Sequence, residues 1–144
     1  MVGIGDVPVA LLDTTVLIDL GRRPQAMEHL RARAAVQRLL AHGETLFTSR
    51  INEAEFRVGP ELSNDRRGEL ERVERTLESL VILEFNADAA LRYAVIKAAM
   101  LKRGRPVGDC DALVASIALT HGQLVLTRNP RHFVDISGLV VQAY

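Results

Sequence analysis

Carboxylate side chains follow three separate apolar segments of this 144-residue chain, and a carboxamide follows a fourth. These residues are Asp13, Glu55, Asp109, Asp111 and Asn129. Carboxylates that meet in one place raise each other's pKa and repel, unless a cation lies between them. Oxygen ligands with few nitrogen or sulfur ligands nearby suit Mg²⁺ or Mn²⁺, which keep several waters and share other positions with phosphate oxygens. The residue types therefore favour activation of a water beside a phosphoryl group.

Each of these acids also has a purely structural interpretation. Asp13 is suited to cap the helix that follows it, because Asp is a favoured N-cap residue. One of Asp109 and Asp111 is expected to cap its helix or to complement the helix dipole. Glu53 and Glu55 lie two residues apart on one predicted helix, so at most one of them points into a shared site. Spacing alone leaves open which acids bind a metal.

The sequence context of two other potentially reactive side chains, a histidine and a cysteine, favours non-catalytic roles. His132, beside Phe133, is typical of a loop or packing histidine rather than a metal ligand. Cys110 lies between two acids, which raise the pKa of a thiol and disfavour a nucleophilic role. As the single cysteine, it also excludes an intramolecular disulfide and a multi-cysteine zinc site, and it points to a reducing cytoplasm.

The composition is that of an ordinary soluble domain, with 48% hydrophobic and 25% charged residues, which excludes disordered and fibrous classes. One domain over residues 1–144 is expected. No apolar run approaches the ~18 residues of a membrane span, and the first ten residues lack the basic start of a secretory signal. The 18 basic residues balance 18 acidic ones, which argues against a highly basic nucleic-acid wrapper. However, 16 of the basic residues are Arg, which suits bidentate phosphate contacts.

Short apolar runs alternate with helical patterns along the chain. Strands are predicted at 7–12, 45–48, 81–85 and 123–127, with an edge strand at 138–141. Helices are predicted at 14–20, at 32–40 with an end at His42–Gly43, from the N-cap residue Ser49 to residue 60, and at 65–80. Two more are predicted from residue 91 to an end at Gly104, and at 109–121. This alternation is typical of a three-layer α/β fold with a mainly parallel sheet. Ligands bind beyond the carboxyl ends of the strands in such sheets, where the acids are expected.

Four short segments combine these acids with characteristic neighbours. In chain order they are Leu11–Ile18; Ser49, Asn52, Glu55, Phe56 and Gly59; Gly104–Gly108 with Asp111, Leu113, Val114 and Ala115; and Leu126–Asn129 with His132 and Phe133. Together they resemble the motifs of PIN-domain ribonucleases, especially the VapC-type toxins. The second and third motifs select Glu55 and Asp111 over their neighbouring acids. Many members carry a fourth acid in the closing motif, where this chain has Asn129 and His132, which implies a weaker second metal site.

The resemblance implies a three-layer α/β/α PIN-like fold and a metal-dependent endoribonuclease that hydrolyses RNA phosphodiester bonds. Asp13, Glu55 and Asp111 would hold Mg²⁺, or Mn²⁺ in its place, directly or through waters. The supporting side chains implied around them are Thr14, Thr15, Asp109 and Asn129. Arginine is expected to dominate RNA binding, with Arg50 and Arg128 as candidates, because the chain has no Trp, two Tyr and four Phe for base stacking.

The same resemblance implies partners. The chain would be the toxin of a toxin–antitoxin pair, a homodimer in the bacterial or archaeal cytoplasm that a cognate antitoxin inhibits. We expect the antitoxin to lay an amphipathic segment against apolar grooves of the early helices and to direct a basic side chain into the acid pocket. Single-stranded or loop RNA is the expected substrate class, since duplex RNA hides its base edges.

Two other classes of protein remain open. A non-catalytic PIN-like RNA-binding module would fit the missing fourth acid, although Asp13, Glu55 and Asp111 together argue against it. An aspartyl-phosphate phosphatase would also begin with an apolar strand that ends in Asp. That chemistry needs a second acid two residues later, where this chain has Thr15.

Overall fold

A computed structural model describes residues 9–41, 45–105 and 108–144 of the chain. The strands are β1 (Ala10–Leu12), β2 (Leu46–Ser49), β3 (Leu80–Leu83), β4 (Leu124–Leu126) and β5 (Val141–Gln142). The helices are α1 (Thr14–Leu20), α2 (Met27–Leu40), α3 (Arg50–Phe56), α4 (Val58–Leu62), α5 (Arg66–Leu77), α6 (Ala87–Arg103) and α7 (Asp109–Thr120). A short 3₁₀ helix, Pro130–His132, follows β4. Within these ranges, no helix has the length and apolar character needed to cross a membrane.

The five strands of the described residues pair in parallel in one sheet, in the order β3-β2-β1-β4-β5. The central strand β1 places Leu11 opposite Phe47 of β2 and Leu12 opposite Leu126 of β4. Since all strands run in the same direction, their carboxyl ends meet at one edge of the sheet. The predicted fold class is confirmed, and the sheet is parallel throughout.

The side chains of β1 enter two hydrophobic cores, one on each face of the sheet, as the alternation of a strand requires. Ala10 and Leu12 pack with residues of α1, α2 and α5. Leu11 packs with residues of α6 and α7. All three β1 residues are fully buried. Because helices cover both faces, the register of β1 is locked, and so is the position of the residue that follows it.

Some predicted boundaries are wrong. The helix predicted behind its cap at Ser49 is two helices, α3 and α4. Pro60 has no N–H to donate to the carbonyl of Phe56, and its ring would clash with that carbonyl, so a single helix cannot continue through it. The next helix is shorter than predicted and ends at Leu77, because strand β3 follows and pairs with β2. The edge strand is shorter and later than predicted.

A few predicted features lie outside the described residues. They are the start of the first strand, the helix end at His42–Gly43, and Pro106–Val107 within the third motif. The remaining strands and helices occur in the predicted order with shifted ends. That residues 1–144 form a single domain stays a prediction.

Gly104 ends α6 in the left-handed conformation, with φ of +66°. Its N–H donates to the carbonyl of Leu101 at 3.3 Å, and the N–H of Arg105 donates to the carbonyl of Met100 at 3.2 Å. These bonds satisfy carbonyls of the last helical turn. The predicted helix end at Gly104 is confirmed.

We predict that Gly104→Ala lowers the free energy of unfolding by about 1 kcal/mol, because a Cβ is disfavoured in the left-handed conformation. Beyond the adjacent backbone, no described atom lies within 4 Å of a Cβ built on Gly104 or Gly59, so the described neighbours add no crowding at either position. Gly59→Ala, inside α4, is the matched control and should stabilise by roughly 0.5–1 kcal/mol. Urea denaturation measures both changes. Effects of the same sign would contradict the prediction.

Candidate active site

Asp13 lies at the carboxyl end of the central strand and is almost fully buried, with 7% of its surface exposed. Its N–H donates to the carbonyl of Leu126 in β4 at 3.0 Å. Its Oδ1 accepts a hydrogen bond from Asn52 Nδ2 at 3.0 Å, and its Oδ2 accepts one from Thr127 Oγ1 at 2.8 Å. The carboxylate is therefore held between the ends of β1 and β4 and the start of α3.

Asp13 occupies the N-cap position of α1, but its side chain makes no capping hydrogen bond. The interpretation of this carboxylate as a helix cap is therefore wrong, since its side-chain partners are Asn52 and Thr127 rather than the N–H groups that an N-cap residue binds. Burial raises the pKa of Asp13, and hydrogen bonds from Thr127, the Thr14 N–H and Asn52 lower it only in part. A carboxylate in these surroundings gains from a nearby cation.

A row of hydrogen bonds connects the start of α3 with a second carboxylate. Ser49 caps α3, as predicted, by accepting from the Asn52 N–H at 3.1 Å, and Ser49 Oγ donates to Asn52 Oδ1 at 2.5 Å. Asn52 Nδ2 then donates to Asp13 and to Thr14 Oγ1, each at 3.0 Å. Thr14 Oγ1 in turn donates to Glu55 Oε1 at 2.7 Å. One network thus orients both Asp13 and Glu55.

The other acid of α3 has a different role. Glu53 forms ion pairs with Arg50 and, at 3.0 Å, with Arg57. Glu53 itself is buried, whereas the two arginines are partly exposed. The structure thus separates the two acids of α3, with Glu55 bonded to Thr14 and Glu53 neutralised within its own segment.

The two acids in the first turn of α7 also differ. Asp109 accepts a hydrogen bond from Lys97 Nζ at 2.7 Å, and this bond lowers its pKa. Asp111 is half-buried, and burial raises its pKa, as do the negative charges of Asp13 and Glu55. Asp111 therefore shares an electrostatic environment with those two acids, whereas Asp109 is neutralised by Lys97.

The residues that follow β4 contribute hydroxyl and backbone groups. Thr127 Oγ1 accepts from the Asn129 N–H at 3.0 Å while it donates to Asp13. Thr15 Oγ1 accepts from the Arg128 N–H at 3.0 Å. Thr15 and Asn129 thus support the closing segment, and Asn129 does so through its backbone.

His132 lies at the end of the 3₁₀ helix, next to Phe133, which is buried in the core formed by α6 and α7. Its Nδ1 is 3.6 Å from Asp111 Oδ2, and its positive charge, when present, lowers the pKa of Asp111. His132 therefore lies in a 3₁₀ helix beside one of the acids, and that it is not a metal ligand stays a prediction. The pKa of the Cys110 thiol is raised by partial burial and by the neighbouring carboxylates, in the predicted direction.

Both arginines that the sequence nominates for RNA binding are engaged in ion pairs. Arg50 forms an ion pair with Glu53. Its Nε also donates to both carboxylate oxygens of Glu84, with Oε1 at 3.0 Å. Arg128 Nη1 donates to the buried Asp19 at 3.0 Å. Much of the positive charge of these two side chains is therefore balanced within the protein, and their contact with RNA stays a prediction.

The donor set fits a hydrated cation. Among residues 9–41, 45–105 and 108–144, no three His, Cys, Asp or Glu side chains are arranged so that all could ligate one metal ion. Mg²⁺ keeps several waters and is commonly bound through one or two carboxylates. Each oxygen of Asp13 accepts one side-chain hydrogen bond, and a carboxylate with about four acceptor sites keeps capacity for a further partner. Asp13, Glu55 and Asp111 therefore suit an ion held partly through its waters.

Sequence reasoning missed two residues of the site, Asn52 and Thr127. Both are fully buried, and both donate to Asp13. The signals were present: Asn52 lies three residues before Glu55, which places both on one helical face. Thr127 follows β4 at the same register as Asp13 follows β1, because Leu12 pairs with Leu126. That signal required the strand pairing.

Comparisons with known proteins agree with this fold. A sequence model of the PIN domain matches residues 10–139. The chain is 29% identical over 133 residues to a protein of Salmonella typhimurium named tRNA(fMet)-specific endonuclease VapC, covering 92% of this chain and 95% of that protein. The structure of a DNA-bound VapBC from the same organism has a TM-score of 0.79 at 28% identity, covering 94% and 98%. VapBC2 of Rickettsia felis, bound to a promoter DNA fragment, shares the fold with a TM-score of 0.82 at 22% identity, covering 94% and 98%.

We predict that Asp111→Asn raises the melting temperature in EDTA at neutral pH by about 2 °C. The change removes a half-buried charge that Asp13 and Glu55 repel. Because the pKa of Asp111 is raised in the folded protein, its charge costs stability as pH rises through that pKa. The gain should therefore disappear below pH ~3, where the carboxyl group is protonated in both the folded and the unfolded state.

Asp109→Asn is the matched control in the same helical turn. It removes a charge that Lys97 stabilises, so it should leave the melting temperature unchanged or lower it. Differential scanning fluorimetry over a pH series measures both variants. A gain of equal size from both would show that Asp111 is not the acid under repulsion.

Proposed function

We propose that this chain, which belongs to the PIN domain family, is a metal-dependent endoribonuclease and the toxin of a toxin–antitoxin pair. The observation that carries the proposal is the convergence of Asp13, Glu55 and Asp111 from three separate segments. They meet at the carboxyl edge of a parallel sheet, where ligands of such folds bind. The Salmonella relative, named as a tRNA endonuclease, supports RNA as the substrate class. Metal dependence is typical of PIN-domain ribonucleases.

Asp13, Glu55 and Asp111 would hold Mg²⁺, with Mn²⁺ as a substitute, partly through bound waters. When bound, the ion supplies an activated water for in-line attack on a phosphodiester and neutralises phosphoryl charge. A neutral Asn129 in the closing segment favours one tightly held ion over two. The cation also offsets the repulsion that raises the pKa of Asp111.

The surrounding side chains act by positioning. Asn52 and Thr127 hold the Asp13 carboxylate in one orientation, and Thr14 does the same for Glu55. Carboxylates that are already ordered lose little freedom when an ion or a substrate arrives. The buried half of the network also limits the water that reaches Asp13.

A groove of this chain beside the acids is suited to bind the antitoxin. A groove of about 320 Å³, which we call the apolar groove, lies between α1, α3, α4 and α5. Its lining includes Ile18, Phe56, Pro60 and Val73, together with Glu55. An amphipathic segment would bury its apolar side chains there, and a basic side chain next to them would reach Glu55. A solved toxin–antitoxin complex of Klebsiella pneumoniae, similar to this chain with a TM-score of 0.66 at 26% identity, supports such a partner.

A different surface, on helix α6, supports homodimer formation. Helix α6 exposes Leu91 and Val95, each about 70% accessible, beside a groove of about 360 Å³. Such exposed apolar residues are typical of surfaces that a second chain covers. The cytoplasmic location expected from the single cysteine stays a prediction.

We predict that the protein cleaves single-stranded RNA in Mg²⁺ or Mn²⁺ and not in EDTA. Asp111→Asn should lower kcat/KM by at least about 100-fold, because it removes a carboxylate that binds and orients the ion. Asp88→Asn, the same change at an exposed acid in the first turn of α6, is the control and should keep full activity. Cleavage of a labelled oligoribonucleotide measures both. Full activity in EDTA would refute the metal-dependent mechanism.

The product ends provide an independent check. A metal-activated water leaves a 5′-phosphate and a 3′-hydroxyl, whereas attack by the 2′-hydroxyl leaves a cyclic phosphate and usually needs a pair of histidines. The described histidines form no such pair, since His29 and His121 bond to backbone carbonyls and His132 lies beside Asp111. Mass spectrometry of the products should therefore find 5′-phosphates. A cyclic phosphate would contradict the proposal.

We predict that Ile18→Asp weakens binding of the cognate antitoxin by about tenfold or more, because it places a charge in the apolar groove. Asp13→Asn combined with Asp111→Asn should weaken binding only modestly, through loss of the acids that attract a basic side chain. Val140→Asp, at an exposed apolar residue outside the groove lining, is the control. Titration calorimetry at constant ionic strength measures all three. Equal affinity of the Ile18 variant and the control would exclude this groove as the docking surface.

A further inference from the structure

A second groove, which we call the arginine groove, adjoins the apolar groove on the same face of the sheet. It has a volume of about 580 Å³ and lies between the α1–α2 connection, α2 and α5. Four arginines line it, and its lining contains no Asp or Glu. They are Arg22, Arg23, Arg72 and Arg75. In a chain with equal numbers of acidic and basic residues, this is a local concentration of positive charge.

The arginine groove is continuous with the candidate active site. Gly21, Arg22 and Arg72 line both the arginine groove and the apolar groove. The α1–α2 connection and helix α5 approach each other closely at this point, since a Cβ built on Gly21 would lie 3.8 Å from Arg72 Cδ. Glu55 lines the apolar groove. One depression therefore leads from Glu55 to Arg75.

Two of these four arginines are less neutralised than Arg50 and Arg128. Arg22 Nε pairs with Asp19 at 3.0 Å, and Arg72 Nη1 pairs with Glu69 at 3.1 Å. In the part of the chain that the structure describes, Arg23 and Arg75 pair with no carboxylate. Among the described residues, the groove thus holds two positive charges that no carboxylate balances.

We infer that the arginine groove binds the phosphodiester backbone of the RNA strand beyond the point of cleavage. The inference rests on the proposed function and adds a binding site to it. The acids themselves repel phosphates, so affinity for RNA has to come from elsewhere on the surface. Guanidinium groups match phosphate oxygens in bidentate geometry, and a strand that leaves the acids along the depression arrives at them.

Backbone contacts of this kind have a measurable signature. Each contact between a phosphate of a single strand and a basic side chain contributes about 0.7 to the steepness of log affinity plotted against log salt concentration. Removal of two arginines should make the slope shallower by about 1.4 and should weaken binding by on the order of tenfold at roughly 0.1 M salt. The loss should be similar for RNAs of different sequence, because phosphates carry no sequence information.

The test compares two double variants by fluorescence anisotropy with a labelled oligouridylate of about 15 nucleotides, in EDTA so that the RNA stays intact. Arg23→Gln with Arg75→Gln removes the two unpaired charges of the groove. Arg31→Gln with Arg67→Gln removes the same charge from exposed positions of α2 and α5 outside the groove lining. We expect the weaker binding and the shallower salt slope only in the groove variant.

Cleavage in Mg²⁺ provides the second measurement. The groove variant should raise KM and leave kcat unchanged, because the arginines bind the substrate and the transition state equally. If it has the same affinity, salt slope and KM as the control variant, the inference is wrong, even when the wild-type protein cleaves RNA and the proposed function stands. If it loses affinity for the antitoxin but not for the RNA, the groove takes an acidic protein segment, which also overturns the inference. A wild-type protein that binds the RNA but never cleaves it would refute the proposed function alone.

Discussion

The structure depends on holding one carboxylate, that of Asp13, almost fully buried at the end of the central strand. Burial opposes its charge, and the hydrogen bonds from Asn52 and Thr127 offset only part of that cost, so its pKa stays raised. The two donors reach it because β2 and β4 flank β1 in parallel with aligned ends. Sheet order, strand register and the cap of α3 are therefore conditions for the acid site as well as for the core. A cation at this edge would relieve the remaining cost.

Much of the fold could be predicted from the sequence because its strands are buried on both faces and its helices carry regular apolar stripes. β1 is the clearest case, since all three of its residues are apolar and fully buried. Boundaries were less predictable where they depend on partners far along the chain. The end of α5 depends on the pairing of β3 with β2, and no local pattern encodes that pairing. The break between α3 and α4 was readable in principle, because Pro60 carries the signal by itself.

The site was predictable only in part, and for the same reason. The acids follow strands or open helices, and their spacing resembles known motifs, whereas Asn52 and Thr127 act across the sheet on a residue distant in sequence. Arginines show this limit most clearly. Arg50 is neutralised by Glu84 and Arg128 by Asp19, residues 34 and 109 positions away. A sequence counts charges, but only the tertiary structure decides which of them remain available to a ligand.

Although the chain has no net charge, acidic and basic side chains occupy separate places on one face of the molecule. The acids lie at the sheet edge, four arginines line the arginine groove, and the apolar groove connects Glu55 with the arginine groove. Under the proposed function, an RNA strand is neutralised at two places by different means, by the cation at the acids and by guanidinium groups beyond them. A protein segment in the apolar groove would lie between these two places. It would therefore interrupt the path of the strand even if it contacted neither the cation nor the arginine groove. A basic side chain of that segment near Glu55 would add charge substitution to this obstruction. Obstruction and charge substitution are thus two consequences of a single docking position, and neither requires a change in the fold.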